Sequence, residues 1–216
     1  MQSYKSKFIN DAYESGALQF GEFRLNSGRI SPFFFNTGKF SNGKTLNAIA
    51  NAYVDTILST AIDFDMIYGP AYKGIPLATS ISQVLYQRQQ LTIPFVFNRK
   101  ERKDHGETGV LIGSEIHGKV LIIDDVISSG ISLSESIQTI KKNKGEVAGI
   151  LIALDRKEKK VADVIEEDLS IIENTPMFSI IDLFDIMDFV KQKSELKIYL
   201  DLLASYHEKY GVDKIE

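Results

Sequence analysis

Val120-Leu121-Ile122-Ile123-Asp124-Asp125-Val126-Ile127-Ser128-Ser129-Gly130-Ile131-Ser132 is the stretch on which the reading of this chain turns. Its first four residues are apolar and three of them are β-branched, which predicts a strand buried on both faces, as in a parallel sheet. Two adjacent carboxylates follow, then a Ser/Gly-rich segment that leads into a helical pattern with Ser132 as its expected cap. The N–H groups of such a loop, with the positive end of a helix dipole, suit a phosphate. The paired carboxylates suit hydroxyl groups, or a magnesium ion reached through water. One sugar phosphate can therefore be held at both ends by this run. It is not a Walker A loop, because the required Gly-Lys-Ser/Thr is absent.

The flanking sequence supplies the rest of an α/β fold. Upstream, Met66–Tyr68 runs into Gly69-Pro70-Ala71-Tyr72-Lys73-Gly74 and a helical stretch through Leu85. Pro94–Phe97 reads as a short strand, Asn98–Gly109 as a polar connection and Val110–Ile112 as renewed extended structure. Downstream, Leu133, Ile137 and Ile140 mark a helix that Gly145 stops, and Val147–Leu154 is the next strand. This alternation predicts a central, mostly parallel sheet flanked by helices, with right-handed crossovers. Nearer the start, Phe8, Ala12, Tyr13 and Leu18 recur at helical spacing up to Gly16. Gln19–Leu25 and Ile30–Asn36 then read as strands joined by the turn Asn26-Ser27-Gly28-Arg29. Ser41 or Asn42 is the expected cap of a helix with the stripe Leu46, Ile49, Ala50, Tyr53, Val54, Ile57 and Leu58. The C-terminal part reads as a helix at about 161–168, a strand Phe178–Ile181 and two further helices.

Composition narrows the function classes. With 44% hydrophobic and 25% charged residues in 216, the chain has the makings of one globular domain and not of a disordered or fibrous protein. The absence of cysteine excludes thiol nucleophiles, disulfides and Cys-based zinc sites; with no signal-peptide pattern and no 18-residue apolar run, a cytoplasmic protein without a membrane span is expected. A net charge of -4 argues against a surface that grips nucleic acid. The average is uneven, however. Arg99-Lys100-Glu101-Arg102-Lys103 carries +3, which leaves 21 basic against 28 acidic residues, or -7, in the other 211.

The strand-and-acid run resembles the ribosyl pyrophosphate signature of the type I phosphoribosyltransferases. Other segments narrow the resemblance to the orotate phosphoribosyltransferase family: Phe97-Asn98-Arg99-Lys100-Glu101-Arg102-Lys103-Asp104-His105-Gly106-Glu107, Leu25–Asn36 with its Phe33-Phe34-Phe35-Asn36, Gly69–Leu77, and Leu154-Asp155-Arg156. The resemblance spans roughly residues 5–205. It implies a single domain over 1–216, with a small hood from about 1–40 plus C-terminal pieces and a core over about 41–190. It also implies transfer of a phosphoribosyl group from 5-phospho-α-D-ribose 1-diphosphate (PRPP) to orotate, with Mg2+.

Site residues follow from the same resemblance. Tyr72, Lys73, Arg99, Lys100, Lys103 and His105 are implied at the pyrophosphate, Asp124 and Asp125 at the ribose hydroxyls, and Ser128, Ser129, Gly130, Ile131 and Ser132 at the 5'-phosphate. Phe34 and Phe35 are implied to bound the orotate ring, Ser128 to offer it a hydroxyl and Arg156 to pair with its carboxylate; Phe33 reads as core. A planar guanidinium fork fits a carboxylate better than a lysine does. Lys103, His105, Asp125 and Lys73 are the implied catalytic residues, since charge develops on both ribose and leaving group as the C1–O bond breaks. Magnesium is expected mainly on substrate oxygens, with Asp124 or Asp125 reached through water. The family pattern further implies a homodimer in which the 99–109 loop completes the neighbour's site. Two positions depart from that pattern: Asn26 stands where lysine is usual, with Arg24 two residues back as the compensating cation, and Ile131 stands where threonine is common, leaving Ser129 and Ser132 as hydroxyl donors. The rival readings are a non-catalytic regulator built on this fold, and transfer to a different base such as a purine.

Overall fold

The computed structural model describes residues 2–103, 109–127, 131–159 and 172–212. The helix expected at about 161–168 lies outside the described residues. Helix α1 (Ser3–Glu14) buries Phe8, Ile9 and Ala12 and gives way to strand β1 (Leu18–Arg24). Strand β2 (Ile30–Phe35) returns antiparallel to it. The turn between them closes through the Gly28 N–H donating to the Leu25 carbonyl at 2.9 Å, with Gly28 at φ +79°, where a side chain would be strained. Asn42 rather than Ser41 caps helix α2 (Gly43–Thr60), in a reciprocal capping box with Thr45. Of the predicted stripe, Ile49, Ala50, Tyr53, Val54 and Ile57 are buried, whereas Leu58 falls on the solvent side.

The remaining strands are β3 (Met66–Gly69), β4 (Phe95–Lys103), β5 (Gly109–Gly113), β6 (Lys119–Asp124), β7 (Glu146–Asp155) and β8 (Met177–Asp182). Among the described residues they form a sheet in the order β5-β4-β3-β6-β7-β8, parallel throughout except for the β4–β5 pair. Helices α3 (Gly74–Gln89) and α4 (Ile131–Lys142) follow β3 and β6. Side chains alternate across the sheet: Ile67, Leu121, Ile123, Leu151 and Ala153 face the core shared with α2 and α3, while Met66, Tyr68, Val120, Ile122, Ile150 and Ile152 face Leu133, Ile137 and Ile140 of α4. Both faces are covered, which is why the strands read as continuous apolar runs.

Two boundaries differ from expectation. The polar connection predicted from Asn98 is instead a continuation of β4 through Lys103, because antiparallel pairing with β5 (Asn98↔Leu111, Lys103↔Gly109) supplies backbone partners that outweigh the poor strand propensity of charged residues. Helix α4 begins at Ile131, so Ser132 lies in its first turn and is not its cap; its carbonyl accepts the Ser136 hydroxyl at 2.7 Å.

The chain ends in helix α5 (Leu183–Gln192), a 3-10 turn (Ser194–Tyr199) and helix α6 (Leu200–Tyr210). Aromatic contacts join these to the N-terminal elements: Tyr13 with Phe189 at 5.6 Å, Phe20 with Tyr199 at 5.5 Å, and Phe33 with Tyr206 at 6.3 Å between ring centres. The first and last parts of the chain thus build one small layer over the carboxyl edge of the sheet.

Fully buried Ile122 makes a test of the inner core. Ile122→Ala is expected to cost about 2–5 kcal/mol, seen as a fall of roughly 4–20 °C in the calorimetric Tm. Leu58→Ala, on the solvent side, is expected to stay within about 0.5 kcal/mol of the parent.

Candidate functional site

Ligands of open α/β sheets sit beyond the carboxyl ends of the strands, and here the loops after β3, β6 and β7 meet under the small layer. The loop after β3 is tight: a Cβ on Gly69 would lie 2.3 Å from the Gly74 carbonyl oxygen, so only glycine lets the strand approach the start of α3 this closely. The Ala71 N–H donates to Asn98 Oδ1 at 2.8 Å, and the Ala71–Tyr72 peptide is cis. Tyr72 is 66% exposed, with Lys100 Nζ 5.0 Å from its ring centre. Lys100 and Ser132, both expected at phosphates, line one cleft of about 560 Å³ together with Pro70, Ala71, Asn98 and Glu135.

The acidic pair is the most constrained part of the site. Asp125 is 7% exposed, and its Oδ2 accepts from Thr37 Oγ1 at 2.8 Å and Lys73 Nζ at 2.7 Å. Its Oδ1 accepts the Val126 N–H at 2.9 Å, its own N–H donates to Asp124 Oδ1 at 2.8 Å, and its carbonyl accepts the Ala153 N–H at 2.9 Å. Buried Tyr53 donates its hydroxyl to the Asp124 carbonyl at 2.6 Å. Burial, and next the charge of Asp125, push the Asp124 carboxyl up to about 7. Burial, and next the two carboxylates, hold the Tyr53 hydroxyl above its ordinary range. Asp124 is thus an acid near its midpoint at neutral pH, able to donate to a ligand hydroxyl or to ionise beside a cation. Among the described residues no group of three or more His, Asp or Glu side chains could hold a metal, so two carboxylates fit magnesium only if substrate oxygens and water supply the other ligands.

Arg156, after β7, sits in a cage. Its guanidinium carbon lies 4.0 Å from the Phe33 ring centre; Nε donates to Glu158 Oε1 at 2.6 Å and one Nη2 proton to Ser31 Oγ at 2.8 Å. Among the described residues Nη1 has no protein acceptor. Glu158 also accepts from the Tyr206 hydroxyl at 2.8 Å and from Arg29 Nη1 at 2.9 Å.

The expected residues divide. Lys73, Asp124 and Asp125 are brought together, and Arg156 lies on the next strand. Phe34 is half-buried and stacks on Phe23 at 5.4 Å. Phe35, on the opposite face of β2, is 6% exposed and packs edge-on against Phe8. Phe33 is core as expected, and carries Arg156 as well. Arg99 is half-buried in β4, while Asn26 and Arg24 are exposed at the hairpin end of β1. Lys103 and Ile131 are described by backbone alone, as the last residue of β4 and the first of α4. His105, Ser128, Ser129 and Gly130 lie outside the described residues. Sequence reasoning missed Ser31, Thr37, Tyr53, Glu158, Tyr206 and Arg29. None of these carried a signal: Glu158 stands only two residues from Arg156, but Lys157 between them is at φ +52°, so the rule that alternate positions of a strand share a face does not apply.

Comparison with known proteins agrees with this geometry. The phosphoribosyl transferase domain family matches residues 40–183. Orotate phosphoribosyltransferase of Shewanella oneidensis is 41% identical over 99% of this chain and all of its own length, and that of Haemophilus influenzae is 44% identical over 98% of this chain and all of its own. The crystal structure of orotate phosphoribosyltransferase from Francisella tularensis superposes with a TM-score of 0.81 at 36% identity, covering 95% of this chain and 99% of that one. An acidic strand end bound to a lysine, a caged arginine on the next strand and full-length likeness at this level make the chain a member of the orotate phosphoribosyltransferase family.

Proposed function

We propose that the chain transfers the phosphoribosyl group of PRPP to orotate, giving orotidine 5'-monophosphate and diphosphate, with magnesium, as a cytoplasmic homodimer. The observation that carries this reading is the adjacency of two charge clusters at the ends of neighbouring strands: Asp124, Asp125 and Lys73 around β6, and the caged Arg156 after β7. A ribose and a carboxylated base joined at C1 need that adjacency.

In this reading Arg156 presents Nη1 to the orotate carboxylate, and Phe34, Ser128 and the Phe35 backbone position the ring. The C1–O bond to diphosphate breaks with its electron pair going to the leaving oxygen, while N1 of orotate loses its proton and supplies the pair for the new C1–N1 bond. Positive character develops on the ribose, and Asp125, held in place by Thr37 and Lys73, is the carboxylate that meets it. Lys73, Arg99, Lys100 and Lys103 meet the charge on the leaving group, and His105 gives a proton to the same oxygens. Magnesium, when bound, neutralises diphosphate charge, with Asp124 or Asp125 reached through water. The 128–132 loop and Asn26 complete the phosphate contacts. The exposure of Tyr72 and Val110, beside the β4–β5 hairpin, supports a second subunit there.

The direct assay is loss of orotate absorbance with PRPP and magnesium. Turnover is expected with orotate and not with adenine, hypoxanthine or uracil, and turnover confined to a purine would overturn the reading. Lys103→Ala is expected to lower kcat by about 10²–10³ with an unchanged melting curve; a near-normal kcat removes the hairpin from catalysis.

Asp124 gives a pH signature. Its carboxyl ionises near 3.8 in the unfolded chain and near 7 in the fold, so its cost to stability is absent below about pH 4, grows between there and 7, and is complete above about 7. Asp124→Asn keeps the acceptor for the Asp125 N–H and removes that cost. A higher Tm is expected at pH 8, with each ~1 kcal/mol relieved worth roughly 2–4 °C, and a smaller gain at pH 5; equal gains at both would contradict the assignment.

A further inference from the structure

Resting on the reading that Arg156 binds the carboxylate of the base, we infer that Glu158 and Tyr206 are positioning residues for that arginine, and that the C-terminal helix is thereby part of base recognition. The two side chains and Arg29 form a closed set with Arg156. Glu158 uses Oε1 for Arg156 Nε at 2.6 Å and Tyr206 Oη at 2.8 Å, and Oε2 for Arg29 Nη1 at 2.9 Å. The ion pairs are well shielded: the side chains of Arg156, Glu158 and Arg29 are 11%, 15% and 14% exposed. Tyr206 is 5% exposed and its ring packs edge-on against Phe33, the ring on which Arg156 lies.

Charge and direction both follow from this arrangement. Two guanidiniums and one carboxylate leave the cluster at +1, the charge that one ligand carboxylate cancels. Anchoring Nε and Nη2 fixes the guanidinium plane, so that Nη1 is the edge turned to a ligand. Arg29 is held in turn by the Lys159 carbonyl at 2.9 Å and by the Tyr210 ring, 5.0 Å from its guanidinium carbon. The segment is tied to the end of α6 by backbone as well: the Lys159 N–H donates to the Tyr210 carbonyl at 2.7 Å, and the Val212 N–H to the Lys157 carbonyl at 2.9 Å. The loop that carries Arg156 therefore takes its shape from residues 206–212.

The test is the split between the two Michaelis constants. Glu158→Gln is expected to raise KM for orotate about tenfold or more while KM for PRPP stays within about twofold. Tyr206→Phe is expected to raise the same constant about two- to tenfold, and Glu158→Asp to recover part of the loss. Arg156→Ala serves as the reference. If it raises the orotate KM while Glu158→Gln leaves that constant unchanged or lowers it, the positioning role fails alone. If Arg156→Ala leaves the orotate KM normal, the base-site reading fails and takes this one with it. Equal increases in both constants would make Glu158 a general structural residue and overturn the inference. Should Glu158→Gln not fold, Tyr206→Phe and Glu158→Asp decide by the same split.

Discussion

The side chain of Asp125 is the point on which the site depends. A carboxylate this buried is tolerated only when each oxygen is engaged, and its partners come from separate parts of the chain: Thr37 from the turn after β2, Lys73 from the loop after β3, and the Val126 N–H beside it. Its carbonyl is fixed by N–H groups of β7. The small N-terminal layer, the β3 loop and the two central strands are therefore registered on one residue. The partners are unequal. The Lys73 side chain is 53% exposed, and an ion pair that open to water is weak and exchangeable. Thr37, 7% exposed, is not open to solvent in that way. An arriving anion can draw the ammonium away while the carboxylate keeps its place.

Neighbouring strands then set where the two parts of a ligand lie. Asp124 pairs with Ile152 across β6 and β7, and Arg156 follows four residues later. Strands lie about 4.8 Å apart, so an acidic cluster and a cationic one open side by side onto the same edge without neutralising each other. Each is largely paired locally: Asp125 with Lys73 and Thr37, Arg156 with Glu158 and Ser31 through Nε and Nη2. Strong opposite charges can be neighbours here because local partners, rather than one another, satisfy most of their valences.

Much of this was legible in the sequence for a physical reason. Buried parallel strands must be apolar along their whole length, so Val120–Ile123 and Val147–Leu154 announced themselves, and the residues just after such strands are where a site must lie. Asp124 and Asp125 were found that way, whereas Lys73 and Arg156 came from the resemblance to the family. Contacts between distant segments leave no periodic trace: nothing in the sequence brings Thr37 to Asp125 or Arg29 to Glu158. The burial of Phe35 was not legible because a run of three phenylalanines does not say which faces inward until the register of β1 with β2 is set. The extent of β4 was missed because its partner strand, and not its own residues, makes Arg99–Lys103 extended.

That extension bears on where a mildly acidic protein keeps its cations. Pairing between β3 and β4 ends at Gly69↔Phe97, whereas β4 runs on to Lys103 with β5 as its neighbour. Beyond Phe97 the sheet narrows to a two-stranded ribbon, an element of marginal stability by itself. The ribbon carries the chain's +3, and like charges packed into five residues repel one another at close range. An anion set against them removes that repulsion, and water screens it when the anion is gone. The -7 on the rest of the chain keeps other anions from gathering elsewhere on the surface. The placement of four cations along one ribbon is a quantity to which the net charge of -4 is blind.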